Sequence, residues 1–111
     1  MSVRMVLATV ALAGSALHAS TALAQGLSPA EQRGRTFVVT NCASCHSVAK
    51  VGSSPLKEAL PFRVLHTFYP VESLQEALAE GIMTGHPSMP QFRLDPGQIA
   101  DVISYLKSLE R

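Results

Sequence analysis

The chain of 111 residues contains two cysteines, and both lie in Cys42-Ala43-Ser44-Cys45-His46. Two thiols at this spacing, followed at once by an imidazole, can add to the two vinyl groups of one haem and offer a nitrogen to its iron. On a helical turn the two-residue spacer sets both sulfurs on one side of the macrocycle. Other chemistries fit less well. A disulfide would close a very small loop and leave His46 without a role. A thioredoxin-type site belongs with a βαβ pattern, which this sequence lacks. Zinc would need Cys42, Cys45 and two of His46, His66 and His86, and no second metal-type pair is present.

An iron held by His46 keeps a second axial position. The candidates downstream are His66, Met83, His86 and Met89. Met89 is favoured, because it lies in Gly85-His86-Pro87-Ser88-Met89-Pro90. Pro87 and Pro90 forbid a helix there and fix an extended course, and a stiff loop can hold a weak thioether donor against a metal. Met83 closes a helical stretch and reads as a packing residue. A histidine ligand or an open site is the alternative. The choice decides the chemistry. With both axial positions filled the iron has no place for oxygen, peroxide or substrate, which suits electron transfer, and thioether sulfur raises the potential relative to two histidines. An open site would allow ligand sensing or peroxidase chemistry.

These residues need elements to position them. Ser28-Pro29-Ala30-Glu31 is a capping box with proline at the first helical position, and it predicts a helix to about Asn41 that delivers the cysteines at its end. Gly34 lies inside that helix, where glycine costs stability. Either another helix approaches closely there or the glycine is merely tolerated. A second helix is expected from near Pro70 to about Glu80, with Leu74, Ala77, Leu78 and Ile82 as its buried stripe and Gly81 as its C-terminal cap. Glu72, Glu76 and Glu80 form an acidic face, which reads as a solvated surface, with partner docking as the lesser reading. A third helix starts at Asp95-Pro96-Gly97-Gln98 and carries the stripe Ile99, Val102, Ile103, Leu106 and Leu109, with Tyr105 on its flank. Pro55, Pro61 and Pro70 punctuate an ordered loop with a short helix around Phe62 to His66. No strand alternation and no internal repeat is seen, so the expected class is all-α.

The first 24 residues read as a secretory signal peptide. Arg4 supplies the positive start, Val6 to Leu17 the apolar run, and Ala22-Leu23-Ala24 the cleavage site. Cleavage after Ala24 would give a periplasmic mature chain from Gln25 to Arg111 with no membrane span; an uncleaved anchor is the alternative. The full chain has 9 Lys and Arg against 8 Asp and Glu. The signal contains Arg4 and no acid, so the mature chain is neutral, which gives no support to nucleic-acid binding. A single domain of this size is marginal without a staple, and a covalent cofactor at its centre would be one.

The residues assembled above resemble class I (monohaem) c-type cytochromes of the small bacterial periplasmic type, over nearly the whole mature chain. The resemblance implies a cytochrome c fold of three main helices and a short one around a single covalent haem c. In that family a glycine and an aromatic on the first helix pack on an aromatic-aliphatic pair of the last; Gly34 and Phe37 match the first pair, and Tyr105 and Leu106 the second. Gly52-Ser53-Ser54-Pro55-Leu56 is similar to the family's proline-leucine step, which implies that the Pro55 carbonyl accepts the ring N–H of His46. Met89-Pro90-Gln91-Phe92 matches the distal-ligand loop. The chain departs from many members in having no tryptophan, so Arg63 and Tyr69 are the expected propionate partners. It also lacks the lysine ring of mitochondrial cytochromes.

The expected function is therefore a monomeric, non-enzymatic carrier of single electrons between redox proteins. Cys42 and Cys45 would attach the haem, and His46 and Met89 would bind its iron. Phe37, Leu56, Leu65, Phe92, Ile99, Ile103 and Leu106 would wall the haem and core. The alternatives are a subunit of a larger dehydrogenase or oxidase complex, and a haem sensor or peroxidase-like protein.

Overall fold

The computed structural model describes residues 26–81 and 88–111. Among these the chain is all-α, with no strand. Helix α1 spans Pro29–Asn41, a 3-10 segment Phe62–Thr67, a 3-10 turn Val71–Ser73, helix α2 Leu74–Glu80 and helix α3 Pro96–Ser108. The expected signal peptide and its cleavage site lie outside the described residues, as do Ile82, Met83 and His86. No helix among the described residues is long and apolar enough to cross a membrane.

The long helices begin where their caps predict. Ser28 Oγ accepts from the Glu31 N–H at 3.3 Å, and the Glu31 carboxylate accepts from the Ser28 N–H at 2.7 Å. Asp95 and Gln98 repeat the exchange at 2.9 and 3.2 Å. Two otherwise orphaned N–H groups are satisfied at each start. Helix α2 departs from expectation at its own start. The chain turns from Pro70 through the 3-10 residues, and the α-helix proper begins at Leu74. Ser73 already has helical angles and makes no side-chain cap bond. A capping residue must be extended for its oxygen to fold back on the following N–H groups. Gly81, at φ +77°, ends α2 in the left-handed conformation expected of it.

The crossing of α1 and α3 is closest at Gly34. A Cβ there would stand 2.0 Å from the Asp101 carbonyl oxygen and 2.9 Å from Tyr105 Cβ. Glycine is thus the contact residue, and the alternative of a tolerated glycine is removed. Arg33 clamps the same level by donating two hydrogen bonds to the Asp101 carboxylate, at 2.7 and 2.8 Å. The α3 stripe Ile99, Val102, Ile103, Leu106 and Leu109 is buried as predicted, with Val38, Leu65 and Val71 against it. Tyr105 is buried rather than flanking. Its ring fills the core while its hydroxyl donates to the Val48 carbonyl at 2.6 Å. A buried tyrosine needs such a partner, and this one ties the loop after the cysteines to α3.

The α2 stripe is only half-buried at Leu74, Ala77 and Leu78, and the helix has no fully buried residue. The other face carries Glu72, Glu76 and Glu80, all exposed. Leu74 and Leu78 pack at the edge of the core, and the same face looks onto a cavity.

Candidate functional site

The cysteine motif leaves α1 as one further turn. Cys42 caps the helix, its N–H bonded to the Val38 carbonyl at 2.8 Å. The N–H groups of Cys45 and His46 then both donate to the Cys42 carbonyl, at 3.2 and 2.9 Å. This turn carries both thiols and the imidazole within five residues. The thiols are free and half-buried. Burial, with a smaller contribution from the neighbouring Cys45, pushes the Cys42 thiol up to about 11. It is therefore a neutral thiol at neutral pH.

His46 is oriented by a carbonyl. Its Nδ1 lies 2.7 Å from the Leu60 oxygen. A carbonyl can only accept, so Nδ1 carries the proton and Nε2 keeps its lone pair. Nε2 itself is buried, and the Phe62 ring leans over the imidazole at a centroid distance of 4.8 Å. This corrects the role that the resemblance gave to Pro55. The chain crosses the motif at residue 56, where the Leu56 N–H donates to the Cys45 carbonyl at 3.0 Å, and Pro55 is exposed. A turn closed by Ala59 N–H to Leu56 O at 3.0 Å then brings the Leu60 carbonyl to the ring. Phe62 N–H to Ser47 O at 2.9 Å holds the far side. The available signal was Pro61, which keeps the preceding residue extended and its carbonyl turned outward from any helix.

A cavity of about 570 Å³ opens over this turn. Cys42, His46 and Met89 all line it. Phe37, Val38, Val102 and Leu106 contribute from α1 and α3, and Leu74, Ala77 and Leu78 from α2. Leu65, Tyr69 and Phe92 close further parts of the wall. Phe92 meets Phe37 edge to face, with centroids 6.2 Å apart. The volume falls in the range of small-molecule and cofactor sites, and the lining is largely apolar with a few polar groups. A buried imidazole nitrogen, a half-buried thioether residue and free thiols on a turn at the wall are the donor set of a thioether-bound haem. The residues therefore fit one haem c.

Most residues expected at the site are brought together, and some are not. Cys45 sits half-buried on the motif turn without lining the cavity itself. Phe37, Leu65, Phe92 and Leu106 are wall residues, whereas Ile99 and Ile103 belong to the core behind and Leu56 is half-buried elsewhere. Val102, Tyr69 and the proximal segment 58–60 also line the wall; of these, only Tyr69 was foreseen there. Val102 shares a helical stripe with Ile99, and periodicity alone cannot tell a protein neighbour from a cofactor. Of the two expected propionate partners, Tyr69 lines the cavity, while Arg63 donates to Ser47 Oγ at 3.1 Å and does not. His66 is exposed and does not line this cavity. Among the described residues no three His, Cys, Asp or Glu side chains gather as a metal cluster.

Three main helices and a short one around an apolar cavity, with the cysteine-histidine turn at its edge, define a small all-α haem protein. The chain matches the cytochrome c family over residues 31–110 and belongs to it, at the size of a monohaem class I member. No curated protein and no solved structure matched the chain. Membership brings haem-based electron transfer and one covalent haem c, with which Cys42 and Cys45 are consistent.

Proposed function

We propose that this chain is an exported carrier of single electrons between redox proteins, with His46 and Met89 as the axial ligands of its haem iron. The observation that carries the reading is that His46 and Met89, 43 positions apart, line one apolar cavity. Cys42 and Cys45 hold the group through thioether bonds. Bound there, haem supplies a one-electron couple whose iron is closed to exogenous ligands by its two protein donors. Leu60 fixes the tautomer and plane of His46 through its carbonyl and strengthens the imidazole as a donor. The apolar walls from α1, α2 and α3 exclude water, which keeps the surroundings alike in both oxidation states. Leu60 and Tyr69 line the cavity and remain 42% and 37% exposed. They present an apolar rim to a partner. Export follows from the signal peptide ending at Ala24, with a mature chain from Gln25.

Addition of carbon monoxide to the reduced protein, or cyanide to the oxidised protein, tests the reading. Slow or absent binding is expected, with a sulfur-to-iron charge-transfer band in the oxidised form. Rapid binding to the native protein would assign it instead to the sensor and peroxidase class.

A further inference from the structure

Among the described residues that line the cavity, Glu58 carries the one carboxyl group, and no lysine or arginine is among them. Glu58 sits in the turn between Leu56 and Leu60, the segment that presents its carbonyl to His46. Lys57 precedes it and is exposed, but does not line the cavity. Glu58 has no ion pair among the described residues.

We infer that Glu58 is a potential-setting residue: its carboxylate at the proximal edge of the cavity biases the haem toward the oxidised state and lowers the midpoint potential. The inference rests on the electron-carrier reading above. Oxidation adds one positive charge at the iron. A fixed negative charge nearby stabilises that state over the reduced one. The apolar wall weakens dielectric screening along the path into the cavity, whereas the exposed outer side of Glu58 leaves the effect open to screening by salt. Glu58 and Leu60 thus act in the same direction from one segment. The carbonyl makes His46 a stronger donor through its hydrogen bond, and the carboxylate acts through space.

The test is spectroelectrochemical titration of holoprotein carrying Glu58→Gln or Glu58→Lys, with Glu110→Gln as the control. Glu110 is exposed beyond the end of α3 and does not line the cavity. The midpoint potential should rise in Glu58→Gln and rise further in Glu58→Lys. The shift should shrink as salt is raised, and the absorption spectrum should stay that of the wild type, which separates a charge effect from altered ligation. Shifts no larger than that of Glu110→Gln, in variants with the wild-type spectrum, overturn the inference while leaving the electron-carrier reading intact. Wild-type protein without covalent haem would overturn both.

Discussion

At the scale of single residues, the proposed ligation depends on two donors held by different means. Met89 is a side chain on a segment bounded by Pro90, and His46 is held through a backbone carbonyl that no side-chain substitution can remove. The two make different predictions. Met89→Ala should abolish the sulfur-to-iron band, lower the potential and allow carbon monoxide to bind, whereas His66→Ala, at an exposed position, should leave all three unchanged. A lost band in His66→Ala with an unchanged Met89→Ala would transfer the ligand role to a histidine. For His46, the lever is Pro61, whose ring holds Leu60 extended. Pro61→Gly should loosen the 2.7 Å hydrogen bond from the ring. A less strongly hydrogen-bonded imidazole is a weaker donor, so the potential should rise while the band persists. The turn that carries the motif residues was legible in sequence because it depends on neighbours within five positions. The partner of His46 was not. Which carbonyl meets the ring is decided by the turn at Leu56–Ala59, and Pro55 and Pro61 offer the same local pattern.

At the scale of elements, the starts of α1 and α3 were readable to the residue because their capping boxes are local. Helix α2 was readable at its end but not at its start, where Ser73 adopts helical angles that no residue type announces. Gly34 shows how a local cost reports a tertiary contact. Since a Cβ at this position would reach 2.0 Å from the Asp101 oxygen, even Gly34→Ala must push the helices apart. Overpacking of this kind costs about 1–3 kcal/mol, and Gly34→Val more than Gly34→Ala. Denaturant unfolding of the holoprotein measures it; two neutral substitutions would contradict the packing seen here. The same crossing carries Arg33 and Asp101, an exposed pair whose carboxylate is held below its ordinary value by the hydrogen bonds from Arg33.

At the scale of the whole molecule, the cavity adjoins the core. Leu74, Ala77 and Leu78 turn onto it from α2, and Phe37 and Leu106 line the same space. Folding should therefore depend on the bound group. The pair Cys42→Ala and Cys45→Ala should give a chain of low helicity and rapid proteolysis, read by circular dichroism and limited digestion. A cooperative, fully helical apoprotein would refute this. The long-range ion pairs add a pH dependence. Arg111 bridges to Glu31, Lys107 to Glu72 and Arg33 to Asp101. Hydrogen bonds, chiefly from the Ser28 backbone N–H for Glu31, from Lys107 for Glu72 and from Arg33 for Asp101, hold these carboxyl groups below their ordinary values of 4.5, 4.5 and 3.8 in the folded chain. Their stabilisation is thus complete above those ordinary values and is lost as the pH falls through the lowered ones. Melting temperature should be flat from neutral pH down to about 5 and fall below it, by a modest amount because these pairs are exposed.

The chain after Met89 is fastened to α2. Gly81 packs on the Arg93 side chain, and the Leu94 N–H donates to the Leu78 carbonyl at 2.9 Å. Under the proposed ligation this makes the thioether a tethered competitor. Its local concentration is set by the span between two fixed ends, not by anything dissolved around the protein, and intramolecular ligands on short tethers act at an effective concentration of order millimolar or higher. A diffusible ligand must outcompete that value, however weak the single sulfur–iron bond. Closure of the iron would then belong to the fastening as much as to the sulfur. Cutting one tie, as in Gly81→Val, should admit outside ligands while every iron-binding residue stays in place.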